Sequence, residues 1–154
     1  MTSIKQKNKL TRFQEVHWSS KTYKWNTPEE FFNGLDEEFH FDFDPAIPPR
    51  VGSFSGNGLK EHWGTKEKPS RVFVNPPYKR GLIKRWILKA CKEFYLGNAA
   101  IVVLLLPMRG SEWFRILARK GAEMRLCEKR IKFESGEGND DPAPFDSIVC
   151  ILGH

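Results

Sequence analysis

The chain has no long apolar run. Its longest, Ala99 to Met108 (AAIVVLLLPM), is about half of what a bilayer-spanning helix requires, so no membrane partner is expected. The opening residues MTSIKQKNKL lack the apolar core of a secretory signal, and the expected location is the cytoplasm. Cysteine is scarce. Cys91, Cys127 and Cys150 are odd in number, far apart and flanked by apolar residues, which argues for buried reduced thiols rather than disulfides or metal ligands. The histidines, His17, His40, His62 and His154, are equally scattered. Zinc-ligand spacing is missing, and no metal is expected. No internal repeat and no second domain can be discerned.

What the chain does contain is the make-up of an ordinary globular protein, with 40% apolar and 29% charged residues over 154 positions. That length suits one domain able to bury roughly two-thirds of its unfolded surface. Lys and Arg number 25 against 19 acidic residues, a net charge of +6. Such an excess is compatible with a polyanionic partner, and equally with a solvated basic surface.

Residues 1–12 are polar and basic and read as a flexible N-terminal arm, with one folded domain over residues 13–154. In NTPEEFFNGLDEEF, Thr27 is placed to cap a helix, Pro28 suits its first position and Glu30 completes a capping box. Phe31, Phe32, Leu35 and Phe39 then share an apolar face. FHFDFDPA alternates from Phe39 to Asp44 and predicts a strand stopped by Pro45. Ile47 to Arg71 is rich in turn-forming residues and reads as loop, with one short element near GLKEHWG. RVFVNPPY predicts a second strand. The next segment, up to Gly97, has Ile83, Ile87, Ala90, Cys91 and Phe94 at helical spacing, with Lys84, Arg85, Lys89 and Lys92 on the other face. AAIVVLLLP is the near-continuous apolar strand of a sheet covered on both sides. Ser111 is placed to cap a further helix, SEWFRILARKG. AEMRLCEKRIKF and SIVCIL predict a closing pair of strands joined by a mobile loop from Glu134 to Asp146. The alternation of strands and helices gives an α/β layered fold.

The chemistry is concentrated in VFVNPPYKR. Two prolines remove two backbone donors where the strand would otherwise continue, so the segment is a stiff turn at a strand's carboxyl end. Asp44, Asn75 and Pro107 all mark such ends, which is where ligands gather in open α/β sheets. An Asn-Pro-Pro-aromatic turn suits methyl transfer to an amino group on a planar system. That nitrogen is a poor nucleophile because its lone pair is delocalised, and carbonyl oxygens accepting its hydrogens help it pyramidalise. Asn75 and the carbonyl of Pro76 can be those acceptors, Pro76 and Pro77 hold them in place, and Tyr78 offers a flat face to the base.

These four residues resemble the catalytic motif of S-adenosylmethionine-dependent amino-group methyltransferases. HWSSKTYKWNTPEEFF, FHFDFDPA, VFVNPPY, VVLLLPMRGSEWF, KRIKF and APFDSIVCIL follow one another in an order similar to that of the phage and prophage DNA adenine methyltransferase (Dam) family, over roughly residues 13 to 152. The resemblance implies a single-domain, abbreviated Rossmann-like class I methyltransferase sheet with flanking helices. It also implies S-adenosyl-L-methionine as cofactor, double-stranded DNA as partner, and a phage or prophage product in a bacterial cell. Trp25, Thr27, Pro28, Asp44, Pro45, Ala46 and Asn75 would border the cofactor, and Asn75, Pro76, Pro77 and Tyr78 would hold a flipped adenine. Lys79, Arg80, Lys84, Arg85 and Arg109 are candidates for phosphate contacts. The chain departs from many methyltransferases in DPAIPPR, which has no glycine-rich turn. The stretch from Asp44 to Asn75 is also too short for two full strand-and-helix units.

Local readings compete with each of these. Thr27 and Pro28 suffice as a helix start, Asp44 before Pro45 as an Asx turn, and the basic residues as a solvated helix face. Trp25, Trp63, Trp86 and Trp113 read as packing residues. Methyl transfer to RNA or to glutamine side chains uses the same motif, and a catalytically decayed DNA-binding protein would keep the same fold.

Overall fold

The structure, a computed structural model, describes residues 27–46, 51–52, 57–79, 81–108, 111–133 and 143–153. In chain order its elements are helix α1 (Glu29–Phe39), strand β1 (Ser70–Val74), helix α2 (Leu82–Tyr95), strand β2 (Ala99–Pro107), helix α3 (Ser111–Arg119) and strands β3 (Glu123–Leu126) and β4 (Ser147–Leu152). The sheet order is β1-β2-β4-β3, with β1 parallel to β2 and β4 antiparallel to both its neighbours. This is the abbreviated α/β sheet that the sequence predicts, in one small domain.

β2 and β4 are apolar on both faces, as strands covered on both sides must be, whereas the edge strand β3 buries none of its residues. Val72, Val74, Val102, Leu104, Leu106, Ile148, Cys150 and Leu152 point to one side, where Ile83, Trp86, Ile87 and Ala90 of α2, Leu117 of α3 and Trp63 pack on them. Phe73, Val103, Leu105, Val149 and Ile151 point to the other, against Phe32 and Phe39 of α1, Phe41, Ile131, Phe133 and Phe145. The central strand β2 is buried at every position but Ala100. Helix α2 ends where Gly97 takes φ +81°, a left-handed conformation that an L side chain resists, and its N–H closes on the Phe94 carbonyl.

The predicted strand over 39–44 contracts to a single bridge. Phe39 is the last residue of α1, and His40 adopts φ 53° with its N–H on the Asp36 carbonyl. The Asp36 carboxylate takes the N–H of Phe41, turning the chain toward β1. Phe43 then makes one parallel bridge to Val72, and Arg71 pins the segment through the Phe39 carbonyl and the Asp42 carboxylate. Helix geometry and side-chain capping consumed the residues that alternation assigned to strand. Among the described residues, no strand lies between this segment and β1.

Two further expectations change. Helix α1 starts at Glu29 after Pro28, with no side-chain cap hydrogen bond, so Thr27 and Glu30 form no capping box. Lys89 is not on a solvated face: it is buried, with Nζ 3.5 Å from the Glu93 carboxylate. Glu93 is fully buried at the amino ends of β1 and β2, where it also accepts from Trp63 N, His62 Nδ1 and Asn98 Nδ2. Burial alone would raise its pKa; the hydrogen bonds from Trp63 and His62, the charge of Lys89 and the Asn98 amide outweigh that and hold it below the usual carboxylate value. Trp63 and Trp86 stack in the core and Trp113 is half-buried. Cys91 and Cys150 are buried thiols and Cys127 is half-buried. Burial pushes all three up, Cys150 to about 12.

Candidate active site

β1 and β2 run in parallel, so their carboxyl ends share one edge of the sheet. The 41–44 segment bridges β1 in the same direction and delivers Asp44 to that edge. Register aligns Val74 with Leu104, and Asn75 therefore leaves its strand beside Leu105. The two prolines end the ladder there because they have no N–H to donate.

Asn75 and Thr27 meet at this edge. Asn75 Nδ2 donates to Thr27 Oγ1 at 3.0 Å, and the two residues are 3% and 4% exposed. The bond assigns the nitrogen end of the carboxamide to the start of α1 and turns its carbonyl end elsewhere. The missing capping box has its own cause: the cap position is Pro28, one residue after Thr27, and proline has no side-chain acceptor to offer.

Asp44 is buried and its Oδ1 accepts from the Ala46 N–H at 2.8 Å, which is the Asx turn of the local reading. Asp44 N–H closes on the Val51 carbonyl. Pro45 and Ala46 are buried beside it. The turn is backed by Gly58, where a Cβ would stand 2.2 Å from the Pro45 carbonyl oxygen and 2.7 Å from the Trp86 ring. Only glycine fits that approach.

Tyr78 is half-buried, and its hydroxyl donates to the Leu105 carbonyl at 3.0 Å. Burial, with the adjacent Cys127, holds its phenol well above the usual tyrosine pKa, so it is a fixed donor and not an acid–base group. Its ring lies edge-on to Phe145 (5.5 Å, 72°) and Phe133 (6.1 Å, 87°). Neither phenylalanine was a predicted site residue, although Phe133 ends one block of the resemblance, KRIKF, and Phe145 stands near the start of another, APFDSIVCIL. Ser147, in register with Pro107, buries its hydroxyl with no hydrogen-bond partner among the described residues.

The basic candidates separate. Lys79 and Arg85 are exposed, whereas Lys84 Nζ is paired with Glu112 at 2.7 Å. Trp25, Arg80 and Arg109 lie outside the described residues, as do the N-terminal arm and most of the 134–146 loop. Beside Pro28 an open groove of about 580 Å³ is lined by Phe31, by the acids Glu30 and Glu128 and by Lys129, Arg130 and Lys132, of which Arg130 is paired with Asp146; none of these three cations stood out in the sequence. Among the described residues no group of His, Cys, Asp or Glu could hold a metal ion, and no helix is long and apolar enough to cross a membrane.

A buried carboxamide and carboxylate beside a proline-stiffened turn, at the carboxyl edge of a parallel pair, can bind a donor-rich ligand and polarise an amino group. A family model described as DNA N-6-adenine-methyltransferase (Dam) matches residues 17–147. No curated protein and no solved structure matches the chain.

Proposed function

The chain belongs to the DNA N-6-adenine-methyltransferase (Dam) family, and from that premise we propose that it methylates the 6-amino group of an adenine flipped out of duplex DNA. The observation that carries this reading is the buried hydrogen bond between Asn75 and Thr27, which joins the proline-stiffened turn to the start of α1.

S-adenosylmethionine, when bound, supplies an electrophilic methyl group. The residues present suit it: Asp44 is an acceptor-only carboxylate for hydroxyl or ammonium donors, and buried Thr27, Pro45, Ala46 and Asn75 with half-buried Pro28 complete the border. On the base side, the Asn75 carboxamide oxygen and the Pro76 carbonyl accept the two amino hydrogens. As the nitrogen turns tetrahedral its lone pair leaves the ring system, and its hydrogens carry more charge toward these two oxygens. Their hold is therefore strongest in the transition state, which is what lowers the barrier. Tyr78 contributes through its ring. The proton released after transfer can pass to water, so no residue of tuned pKa is required.

The test is direct. The purified full chain, duplex DNA from cells lacking adenine methylation and tritium-labelled S-adenosylmethionine should yield labelled N6-methyladenine after digestion. Label appearing in RNA or in glutamine side chains, with none in adenine of DNA, would overturn the reading.

Three variants test its parts. Asp44→Ala is expected to weaken cofactor affinity by roughly tenfold or more, the scale of a charge-assisted hydrogen bond, with a smaller effect on DNA affinity. Calorimetry with S-adenosylmethionine decides this, and equal effects on both ligands would return Asp44 to a purely structural turn. For DNA docking, Lys79→Ala and Arg85→Ala should each reduce the slope of log affinity against log salt by about one unit, equally for methylatable and unrelated duplexes. An unchanged slope in both variants would assign this face to solvent.

A further inference from the structure

Tyr78 is held in two different ways, and the two do different work. The hydroxyl on the Leu105 carbonyl fixes how far the side chain reaches. It cannot fix the plane of the ring, because a phenol tethered at its oxygen still turns about the axis that runs from Cβ through that oxygen. Edge contacts can. Phe145 and Phe133 meet the Tyr78 ring at 72° and 87°, and they pack on each other at 6.1 Å. Both are buried, and just before each of them a backbone bond from Ala143 N–H to the Ile131 carbonyl ties their two chain segments together at 2.9 Å.

We propose that Phe133 and Phe145 are positioning residues for methyl transfer: together they set the plane of the Tyr78 ring and so the wall against which the base is aligned. The base wall is then assembled from three separate stretches, NPPY, KRIKF and APF. This rests on the methyltransferase reading above. A mere core role would be served by any apolar side chain of similar volume, since burial is non-directional. Setting a ring plane requires flat neighbours at defined angles.

The experiment replaces rings by aliphatic bulk. Phe133→Leu and Phe145→Leu, with the more adaptable Phe→Met as the second choice where leucine impairs folding, are measured in single-turnover methyl transfer to duplex DNA at saturating cofactor. Each should slow transfer by roughly fivefold to tenfold, the worth of an edge-to-face pair, without changing cofactor affinity. In a Tyr78→Leu background the same changes should have less than a twofold further effect, because residues that act through Tyr78 have nothing left to position. Losses that multiply equally in both backgrounds, or single variants at wild-type rate, would overturn the proposal. A readout independent of activity is the ring-flip rate of 13C-labelled Tyr78 by NMR: slow in the wild-type chain and at least tenfold faster in the variants if the proposal holds, unchanged if it fails. Wild-type chain that methylates no DNA would refute the methyltransferase reading instead, while the ring-flip result would still judge the clamp.

Discussion

Asn75→Ala is expected to slow methyl transfer by roughly two orders of magnitude or more, with the fold retained. On the proposed mechanism the size follows from what is removed: one oxygen acceptor at a buried position, facing the amino nitrogen where charge would develop, for which losses of about 10²–10³ are usual. Water cannot readily replace it, because Asn75 is 3% exposed. The substitution also strips the Thr27 hydroxyl of the amide that donates to it. An unsatisfied buried polar group costs about 1–3 kcal/mol, so a moderate fall in thermal stability accompanies the loss of activity. The two effects separate by experiment. Single-turnover rates at saturating cofactor and DNA report the chemistry, and thermal unfolding reports the structural cost. A variant of unchanged stability and near-normal turnover would show that the carboxamide oxygen takes no part in the reaction.

Where sequence and structure agree, the signal was local. Two consecutive prolines after VFVN can end a strand in few ways, Gly97 can stop a helix cheaply, and nine apolar residues in β2 need cover on both faces. Where they part, a distant partner decided. Thr27 has every local reason to cap α1, but the helix starts one residue later with Pro28 at the cap, and the Thr27 hydroxyl instead accepts from Asn75, a partner that no local pattern reveals. Lys89 falls in a run of basic residues, and only Glu93, one turn on and itself buried, shows why this one lysine is inside. Alternation from Phe39 held as far as Asp42, with Phe39 and Phe41 buried and Asp42 exposed, and then broke, with Phe43 half-buried and Asp44 buried; alternation does not guarantee strand partners, and the segment makes a single bridge. Phe133 and Phe145 fall in two blocks of the resemblance, but nothing local shows that both rings meet Tyr78, which comes from another part of the chain.

The largest effect on stability is expected at the other end of the sheet, from Glu93→Ala. Glu93 is 0% exposed and gathers Trp63 N–H, His62, Asn98 and Lys89 around one carboxylate. Replacing a whole buried ion pair by apolar residues can be neutral, but removing one partner leaves the other charge buried without its counter-ion and costs about 3–5 kcal/mol. Here the stranded charge is Lys89, and the Trp63 N–H loses its acceptor as well. For a small domain holding roughly 5–15 kcal/mol, that is a large fraction of the total. The pH dependence has a definite sign. The folded-state pKa of Glu93 is lowered from the model-compound value of 4.5, so the folded state holds this proton less readily than the unfolded chain does. Its contribution is fully present above the unfolded pKa and is lost as pH falls through the folded one. Urea unfolding at pH 7 and across the acid range below 4.5 should therefore show a wild-type chain that weakens toward acid, and a Glu93→Ala variant that is weaker at pH 7 and has a shallower acid limb. Equal urea midpoints at pH 7, or parallel acid limbs, would mean that the carboxylate is not what anchors this end. Since the cluster sits at the amino ends of β1 and β2, opposite Asn75, the variant should still transfer methyl groups at near wild-type rate at temperatures where it remains folded, which distinguishes a stability role from a catalytic one.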